Sequence, residues 1–258
     1  HKRYIAAGAG IIATASYQAS MSGLIENGYT HERAKATILK TVDLAKTAIA
    51  EASLENPDLG LPKIGASIGP YGAYLADGSE YRGNYGLSEA ELFAFHRERI
   101  EILEQSDADL LLFETFPDIL ELEVIAHLTS QIAKPAWVSF ACKDGKHLND
   151  GTSIETAARL FNKHPSVFAI GVNCTKPRYI TELIRRLKTV SDRKLVIYPN
   201  SNEHYDAVTK TWSGKNESEE YTTAAQEWLE QGVDLIGGCC RIGPTHIKAL
   251  HDNLNRKG

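Results

Sequence analysis

Four cysteines are the residues of this 258-residue chain whose type and position most directly suggest chemistry. Cys174 ends one apolar run, and the adjacent Cys239 and Cys240 end another run much later in the sequence. Three thiolates suit a zinc ion, which binds sulfur at about 2.3 Å. They can meet only in a fold that gathers the ends of distant strands. On spacing alone, burial as small apolar side chains is an equal alternative, because the chain has no CxxC pair.

Gly237 and Gly238 directly precede the adjacent cysteines. Neighbouring residues of a regular strand point to opposite faces, so both cysteines can reach one ion only if the backbone bends. Two glycines permit that bend and a close approach. Three protein ligands leave a fourth position open, which is typical of a catalytic zinc site. Such an ion would deprotonate a further thiol and keep it nucleophilic, so the set predicts thiol chemistry. Cys142 stands alone and is predicted to be a buried structural residue.

Seven short apolar runs alternate with longer amphipathic stretches. The predicted strands are 10–16, 63–68, 109–113, 136–141, 168–173, 194–198 and 234–237. The predicted helices are 31–51, 88–105, 119–131, 153–163, 177–190, 218–231 and 244–255. The strands are continuously apolar, which is typical of a parallel sheet buried on both faces.

This alternation predicts an α/β fold, either a doubly wound open sheet or a (βα)8 barrel. An open nucleotide-binding sheet would carry a glycine-rich turn after its first strand, and the chain has none at that place. Polar residues gather instead at the strand ends, as a barrel with one pocket requires. We therefore predict a TIM-type barrel forming a single domain over residues 1–258. Since a closed barrel needs eight strands, we expect its first βα unit to be missing from the chain, which begins in the tail of a helix.

Composition narrows the function classes further. The net charge of -5 provides no basic field for nucleic acid, and the apolar runs are too short to span a membrane. Four cysteines are too few for a disulfide scaffold, so we expect reduced thiols and a cytoplasmic protein. The nine histidines do not pair at metal-ligand spacing. No Gly-x-Ser-x-Gly elbow is present, which disfavours a serine hydrolase. Oligomeric state cannot be deduced from these features.

Several motifs resemble the homocysteine S-methyltransferase family of zinc-dependent barrels. The two that carry the resemblance are Gly171-Val172-Asn173-Cys174 and Gly237-Gly238-Cys239-Cys240-Arg241. Segments 69–83, 14–18 and 198–201 look like the branch of the family that uses S-methylmethionine as methyl donor.

The resemblance implies roles for named residues. Cys174, Cys239 and Cys240 match the zinc ligands, and Glu114 matches the carboxylate that binds the amino group of homocysteine. The weaker substrate-binding predictions are Thr14, Asn173 and Tyr71. The implied reaction moves a methyl group from S-methylmethionine or S-adenosylmethionine to the zinc-bound thiolate of L-homocysteine, giving methionine without a general acid or base. The partners expected are therefore small molecules, and the cofactor is Zn²⁺.

Alternatives remain at this stage. Betaine-using and selenium-methylating relatives share the resemblance, although the 71–83 loop and Thr115 argue against betaine. A barrel with a purely structural zinc is the non-enzymatic alternative, and an open fourth position on the metal would separate the two. A further hypothesis is that some of four loop tyrosines stack on the sulfonium of the donor. These tyrosines are Tyr71, Tyr74, Tyr81 and Tyr85.

Overall fold

The computed structural model describes residues 1–57, 60–201, 203–206, 211–213 and 218–255. Its strands are β1 Ile11–Ala13, β2 Lys63–Ile68, β3 Leu110–Phe116, β4 Ala136–Phe140, β5 Val167–Asn173, β6 Lys194–Tyr198, β7 His204–Asp206, β8 Thr211–Ser213 and β9 Leu235–Ile236. Its α-helices are α1 Lys2–Ala6, α2 Met21–Glu26, α3 His31–Glu55, α4 Tyr71–Leu75, α5 Glu89–Glu104, α6 Ile119–Thr129, α7 Ile154–Leu160, α8 Ile180–Lys188, α9 Ser218–Glu230 and α10 Pro244–Asn255. Two 3-10 turns, Ser79–Tyr81 and Pro177–Tyr179, complete the set.

Seven strands form one all-parallel sheet in the order β1-β2-β3-β4-β5-β6-β9, and β7 and β8 form a separate antiparallel hairpin. Helices connect consecutive strands of the main sheet, so the predicted α/β alternation is confirmed. Within the described ranges, β1 pairs only with β2, and β9 pairs only with β6. The sheet is therefore a curled, incomplete barrel of seven strands, as the sequence predicts.

The strands contribute to two separate hydrophobic cores, which explains their continuous apolar character. Leu111 and Phe113 of β3 face outward into the large core between sheet and helices. Leu110 and Leu112 face inward and pack with Trp137 and other side chains from neighbouring strands. Because successive residues of a strand point to opposite faces, burial on both sides requires apolar residues at every position.

Side-chain capping residues mark the starts of several helices. Ser88 and Glu91 form the predicted capping box of α5, with both reciprocal hydrogen bonds present. Asp118 caps α6 by accepting from the backbone N–H of Glu121. The sequence did not predict α2, α4, the first 3-10 turn or the hairpin, because each is too short to establish a periodic pattern.

The first helix lies against the end of the chain. The α1 segment packs against α3 and α10. The hydroxyl of Tyr4 donates to the backbone carbonyl of Ile242 at 2.9 Å. Since Ile242 follows the adjacent cysteines by two residues, the curling of the sheet brings α1 to the segment that carries them.

In the part of the chain that the structure describes, no helix combines the length and apolar character needed to cross a bilayer.

Candidate metal and amino-acid site

The three cysteines predicted as metal ligands converge at the carboxyl ends of β5 and β9. Their sulfur atoms all lie within 4.8 Å of one another, and each residue is half-buried. Cys174 and Cys240 have their sulfurs 3.9 Å apart. Cys174 and Cys239 are in disulfide contact, with Cα atoms 5.6 Å apart. The sequence predicted reduced thiols, and this pairing differs from it; thiols gathered this closely can pair with one another or share one ion.

The segment after β6 holds the adjacent cysteines in place. Cys239 donates its backbone N–H to the carbonyl of Pro199 at 2.9 Å. Cys240 donates its own to the side-chain oxygen of Asn200 at 3.1 Å. Ser201 in turn donates its backbone N–H to the carbonyl of Cys240 at 3.0 Å. The segment 199–201 therefore positions both ligands through the backbone.

Gly238 permits the bend that places both cysteines on one side. A Cβ built at this position would lie 2.1 Å from Cγ2 of Ile242, a separation that real side chains do not adopt. At Gly237, the same construction gives an ordinary 3.5 Å contact with Tyr198. The close approach expected of the glycine pair is thus required at the second glycine only.

Two residues at the site have a left-handed backbone that the sequence did not reveal. Thr115 has φ 68° and Cys174 has φ 47°. A β-branched residue in this region is strained, and such strain is often found at functional sites. Asn173 holds Thr115 in this conformation, because its Oδ1 accepts the Thr115 backbone N–H at 2.8 Å and its Nδ2 donates to the Thr115 hydroxyl at 2.7 Å.

Asn173 also links this strained corner to the metal site. Its Nδ2 lies 3.9 Å from the sulfur of Cys239. The predicted role of Asn173 in substrate binding is untested, since its described contacts are made to Thr115, Ser139 and Cys239.

Glu114 lies in a bulge near the end of β3. The pairing of β3 with β4 shifts register between Phe113 and Phe116. A bulge re-aims the side chains around it and is common beside active sites. The carboxylate is only 9% exposed. It accepts hydrogen bonds from the hydroxyls of Ser67 and Tyr198.

Tyr198 itself belongs to a small polar network inside the barrel. The indole N–H of Trp137 donates to its oxygen at 3.0 Å, and the Tyr198 hydroxyl also interacts with Glu114. Ser139 lies within hydrogen-bond distance of both Tyr198 and Asn173. The network connects the Glu114 carboxylate to the residue that contacts Cys239.

Burial raises the pKa of Glu114, and the hydrogen bonds from Ser67 and Tyr198 oppose that shift. A carboxylate can accept about four hydrogen bonds, so two accepted bonds leave capacity for a cationic donor. Burial likewise raises the pKa of the Cys240 thiol. Each group thus gains from a positive charge placed beside it, Glu114 from an ammonium group and Cys240 from a metal ion.

Thr14 is linked to Glu114 through Ser67. Its hydroxyl accepts the backbone N–H of Ser67 at 3.0 Å and shares a 2.6 Å hydrogen bond with Ser16. Ser16 donates to the carbonyl of Ser67 at 2.7 Å. Thr14 thereby fixes the strand end that presents Ser67 to Glu114. Its direct contact with substrate stays a prediction.

Tyr71 lies in a cluster of aromatic rings. Its ring packs against Tyr74, Tyr85 and Phe95, with ring centroids 4.9–5.5 Å apart in that cluster. Its backbone N–H donates to Glu121. The Tyr71 ring therefore packs between α4 and α5. Its role in substrate binding stays a prediction. Of the four loop tyrosines, Tyr81 is the one that hydrogen-bonds to Cys240.

Cys142 and His96 occupy structural positions. Cys142 is buried at 7% exposure, and burial raises the pKa of its thiol. His96 is fully buried, as expected of a satisfied histidine, and lies between Arg99 and Glu121.

Sequence reasoning missed two contributors to the site, Ser67 and Ser139, and gave no role to a third, Tyr198, which lies in the 198–201 motif. Ser67, Ser139 and Tyr198 are polar residues on strands, and all point into the barrel. The available signal was a hydroxyl residue interrupting an otherwise apolar strand, a pattern that does not by itself say which face the residue occupies.

The donor set fits a thiophilic metal. Three sulfurs that converge from two strands match the ligand type and number of a zinc site with one open position. Asn173 and the 199–201 segment supply the surrounding hydrogen bonds that such sites use to orient their ligands.

Comparisons with known proteins agree with this geometry. A family model described as Homocysteine S-methyltransferase matches residues 1–254. Homocysteine S-methyltransferase YbgG of Bacillus subtilis (strain 168) is 45% identical over 254 residues, which cover 97% of this chain and 81% of that protein. A selenocysteine methyltransferase of Astragalus bisulcatus is 41% identical over 275 residues, covering 99% of this chain and 81% of that protein.

A solved structure shares the fold. The homocysteine methyltransferase MmuM from Escherichia coli, in a metallated form, matches with a TM-score of 0.86 and 40% identity, over 98% of this chain and 82% of that one. The same protein in an oxidized form matches with a TM-score of 0.87.

Proposed function

Because the chain belongs to the homocysteine S-methyltransferase family, we propose that it transfers the methyl group of a sulfonium compound to L-homocysteine at the three-cysteine site, with zinc as its metal. The family match makes it a methyltransferase. What we propose beyond the match is the zinc ion, the class of donor and the roles of individual residues.

Cys174, Cys239 and Cys240 would hold the ion. The metallated form of the Escherichia coli relative supports a metal, and the all-sulfur donor set favours zinc over harder cations. When bound, zinc would keep the substrate thiol ionised, and therefore nucleophilic, at neutral pH.

Glu114 would bind the α-ammonium group of homocysteine. Its carboxylate is buried, holds two hydroxyl donors, and has remaining capacity for a cation. Ser67 and Tyr198 would keep the carboxylate oriented, and Thr14 would keep Ser67 in place. These contacts support an amino-acid site a short distance from the cysteines.

The methyl transfer itself requires positioning rather than proton transfer. The homocysteine sulfur forms a bond to the methyl carbon as the bond from that carbon to the sulfonium sulfur breaks. The electron pair of the broken bond stays on the donor sulfur, which becomes a neutral thioether. With S-methylmethionine as donor, both products are methionine. The chain's residues would align the two sulfurs and exclude water.

The convergence of the three sulfurs carries this proposal. Cys174 and the adjacent pair come from strands that are not neighbours in the sheet, with β6 between them. Chance gathering of all three thiols within 4.8 Å of one another would be unusual, whereas a shared ion requires it.

A donor and acceptor panel tests the proposal. Zinc-loaded protein should form methionine from homocysteine with S-methylmethionine or S-adenosylmethionine, and little with glycine betaine. The name of the Astragalus relative makes selenocysteine a second acceptor to include. Methionine formed from betaine alone would contradict the sulfonium donor.

Metal binding is tested separately from activity. Cys240→Ser should lower the bound zinc well below one ion per chain, whereas Cys142→Ala, which removes a thiol outside the cluster, should leave it unchanged. In cobalt-substituted protein, homocysteine should change the sulfur-to-cobalt absorption bands. A metal whose spectrum never responds to homocysteine would leave only a structural role for the ion.

A further inference from the structure

Glu80 is a carboxylate beside the cysteine cluster that the roles above do not use. It occupies the middle of the 3-10 turn Ser79–Tyr81, which follows α4. Its Oε2 atom is buried and has no hydrogen-bond partner in the structure. The carboxylate accepts a hydrogen bond from the backbone N–H of Glu80 itself.

The turn that carries Glu80 is held rigidly. Asp77 accepts hydrogen bonds from the backbone N–H and the hydroxyl of Ser79. Arg82 donates through Nη2 to Asp77 at 3.2 Å and to Ser79 at 2.8 Å. Burial raises the pKa of Glu80, and the charge of Arg82 lowers that pKa by less. A Cβ at Gly72 would lie 2.4 Å from the backbone nitrogen of Glu80, so only glycine lets α4 pack this closely on the turn.

Glu80 lies close enough to one metal ligand, Cys240, for its charge to act on that thiol. Burial raises the pKa of Tyr17, Tyr81 and Cys240, and the nearby charge of Glu80 raises each of them further. Tyr81 hydrogen-bonds to Cys240, and the hydroxyl of Thr115 donates to Tyr17. The carboxylate is thus near two tyrosines and near the Cys240 thiol.

An unpaired buried carboxylate oxygen is costly, because the group has lost water without gaining a partner. A cation that binds beside this oxygen would offset the desolvation free energy of the carboxylate. The surroundings offer a binding site for such a cation, since aromatic faces also attract positive charge. The proposed function brings one obligatory cation to this place, the sulfonium donor.

We propose that Glu80, together with Tyr17 and Tyr81, forms the binding site for the positively charged sulfonium group of the methyl donor. This inference rests on the proposed function, and it assigns donor recognition to a different carboxylate from the one that binds the acceptor. In this proposal, Glu114 binds the ammonium group of homocysteine, and Glu80 binds the sulfonium group of the donor.

The charge change along the reaction determines how Glu80 contributes. The sulfonium carries a full positive charge in the bound donor and loses it as the methyl group leaves. Glu80 therefore stabilises the bound donor at least as strongly as the transition state. Removing its charge should raise the KM for donor and leave kcat unchanged or slightly higher.

The test compares Glu80→Gln with two other carboxylate variants in zinc-loaded protein. Glu80→Gln should raise the KM for S-methylmethionine by about tenfold or more and leave the KM for homocysteine unchanged. Glu80→Asp should restore part of the loss. Glu114→Gln should show the reverse pattern, and Glu89→Gln, which removes an exposed charge at the start of α5, should change neither constant. Bound zinc and thermal unfolding of Glu80→Gln should match the wild type.

Several outcomes would overturn the inference. An unchanged donor KM in Glu80→Gln, with an active wild type, would refute it while leaving the proposed function intact. A wild type that forms no methionine from any sulfonium donor would refute both. A third uses a deaminated donor, dimethylsulfoniobutanoate, as a competitive inhibitor. If its inhibition constant is the same in both proteins while the KM for S-methylmethionine differs, Glu80 recognises the amino group of the donor instead.

Running the panel with S-methylmethionine and with S-adenosylmethionine separates the two sources of sulfonium. A common rise in KM would mean that Glu80 recognises the charge that both share. A rise confined to S-methylmethionine would make Glu80 a residue that selects the smaller donor. An effect confined to S-adenosylmethionine would contradict the assignment to the sulfonium group.

Discussion

At the residue scale, the character of Glu114 depends on its immediate neighbours. A buried carboxylate without partners would remain protonated at neutral pH. Ser67 and Tyr198 oppose this by donating hydrogen bonds to it, and the Trp137 indole helps to hold the Tyr198 hydroxyl in place. The site thus holds a carboxylate that is oriented before substrate arrives.

Replacing Glu114 by Gln should impair acceptor binding specifically. The loss of a charge-assisted hydrogen bond of about 1.5–3 kcal/mol corresponds to a roughly 10- to 100-fold rise in the KM for homocysteine. Steady-state kinetics at saturating donor would measure it. The matched control is Glu123→Gln, which makes the same substitution at an exposed position of α6.

The raised pKa of Glu114 adds a pH signature. As pH falls through that raised pKa, the carboxylate takes up a proton and loses its attraction for the ammonium group. The KM of the wild type for homocysteine should therefore rise on the acid side, and the KM of Glu114→Gln should lack this rise. A parallel acid rise in both proteins would assign the effect to another group.

The sequence predicted the identity of these site residues better than their conformation. Cys174, Cys239, Cys240 and Glu114 carry motifs that resemble a known family. Nothing in the sequence marks Thr115 as left-handed, because the amide of Asn173 that holds it comes from another strand. Long-range contacts of this kind appear only once the chain has folded.

At the scale of elements, the strand ends determine the site. Both β2 and β6 were predicted at their observed bounds, whereas β3 extends through Phe116, three residues beyond its predicted end. The difference is the bulge at Glu114, which lets pairing continue after the register shift. Apolar periodicity finds a strand, but it cannot reveal a bulge that depends on the partner strand.

The glycine pair before the cysteines provides a prediction at this scale. Gly238→Ala should displace Ile242 or the cysteine turn, and we expect a loss of about 1–3 kcal/mol in stability together with weaker zinc binding. Gly237→Ala meets only an ordinary contact and should preserve both properties. Denaturant unfolding and a zinc titration on the two variants would measure the difference. Equal behaviour of the two would show that the close approach at Gly238 is unimportant.

At the scale of the whole molecule, a buried polar cluster ties separate layers together. Arg99 donates to His96 Nδ1 at 2.8 Å, and His96 Nε2 lies 2.7 Å from Glu121. Because arginine can only donate, Nδ1 must accept, and the ring proton is on Nε2 facing Glu121. Arg99 also donates to the carbonyls of Ala19 and Gly69, so the cluster joins α5 and α6 to the loops after β1 and β2.

His96 should contribute a pH-dependent part of the stability, opposite in sign to the contribution of Glu121, whose pKa burial raises to about 8. Burial, reinforced by the charge of Arg99, holds the pKa of His96 well below 6.5. Below about pH 6.5 the unfolded chain binds a proton on His96 that the folded chain does not, so the contribution of His96 to the free energy of unfolding falls as pH falls, by up to about 1.4 kcal/mol per pH unit. Above that pH the contribution is constant.

The variant His96→Gln isolates this effect. Its stability should lack the part of the acid-side slope that comes from His96, so the gap between the two proteins should narrow as pH falls. Urea unfolding over a pH series measures the gap, and His127→Gln, on the exposed face of α6, provides the comparison. A gap that stays constant with pH would mean that His96 has the same pKa in the folded and the unfolded protein.

The shortness of β9 has a consequence for how a metal ion would leave. Cys174 extends from the fully paired β5, whereas Cys239 and Cys240 follow a two-residue, half-buried edge strand. Local fraying of that edge would withdraw two of the three sulfurs in a single event. Release of zinc to a chelator should then proceed at the rate at which Ile236 and Gly237 exchange their amide hydrogens. A bound ion would in turn hold the edge strand β9 against the rest of the sheet.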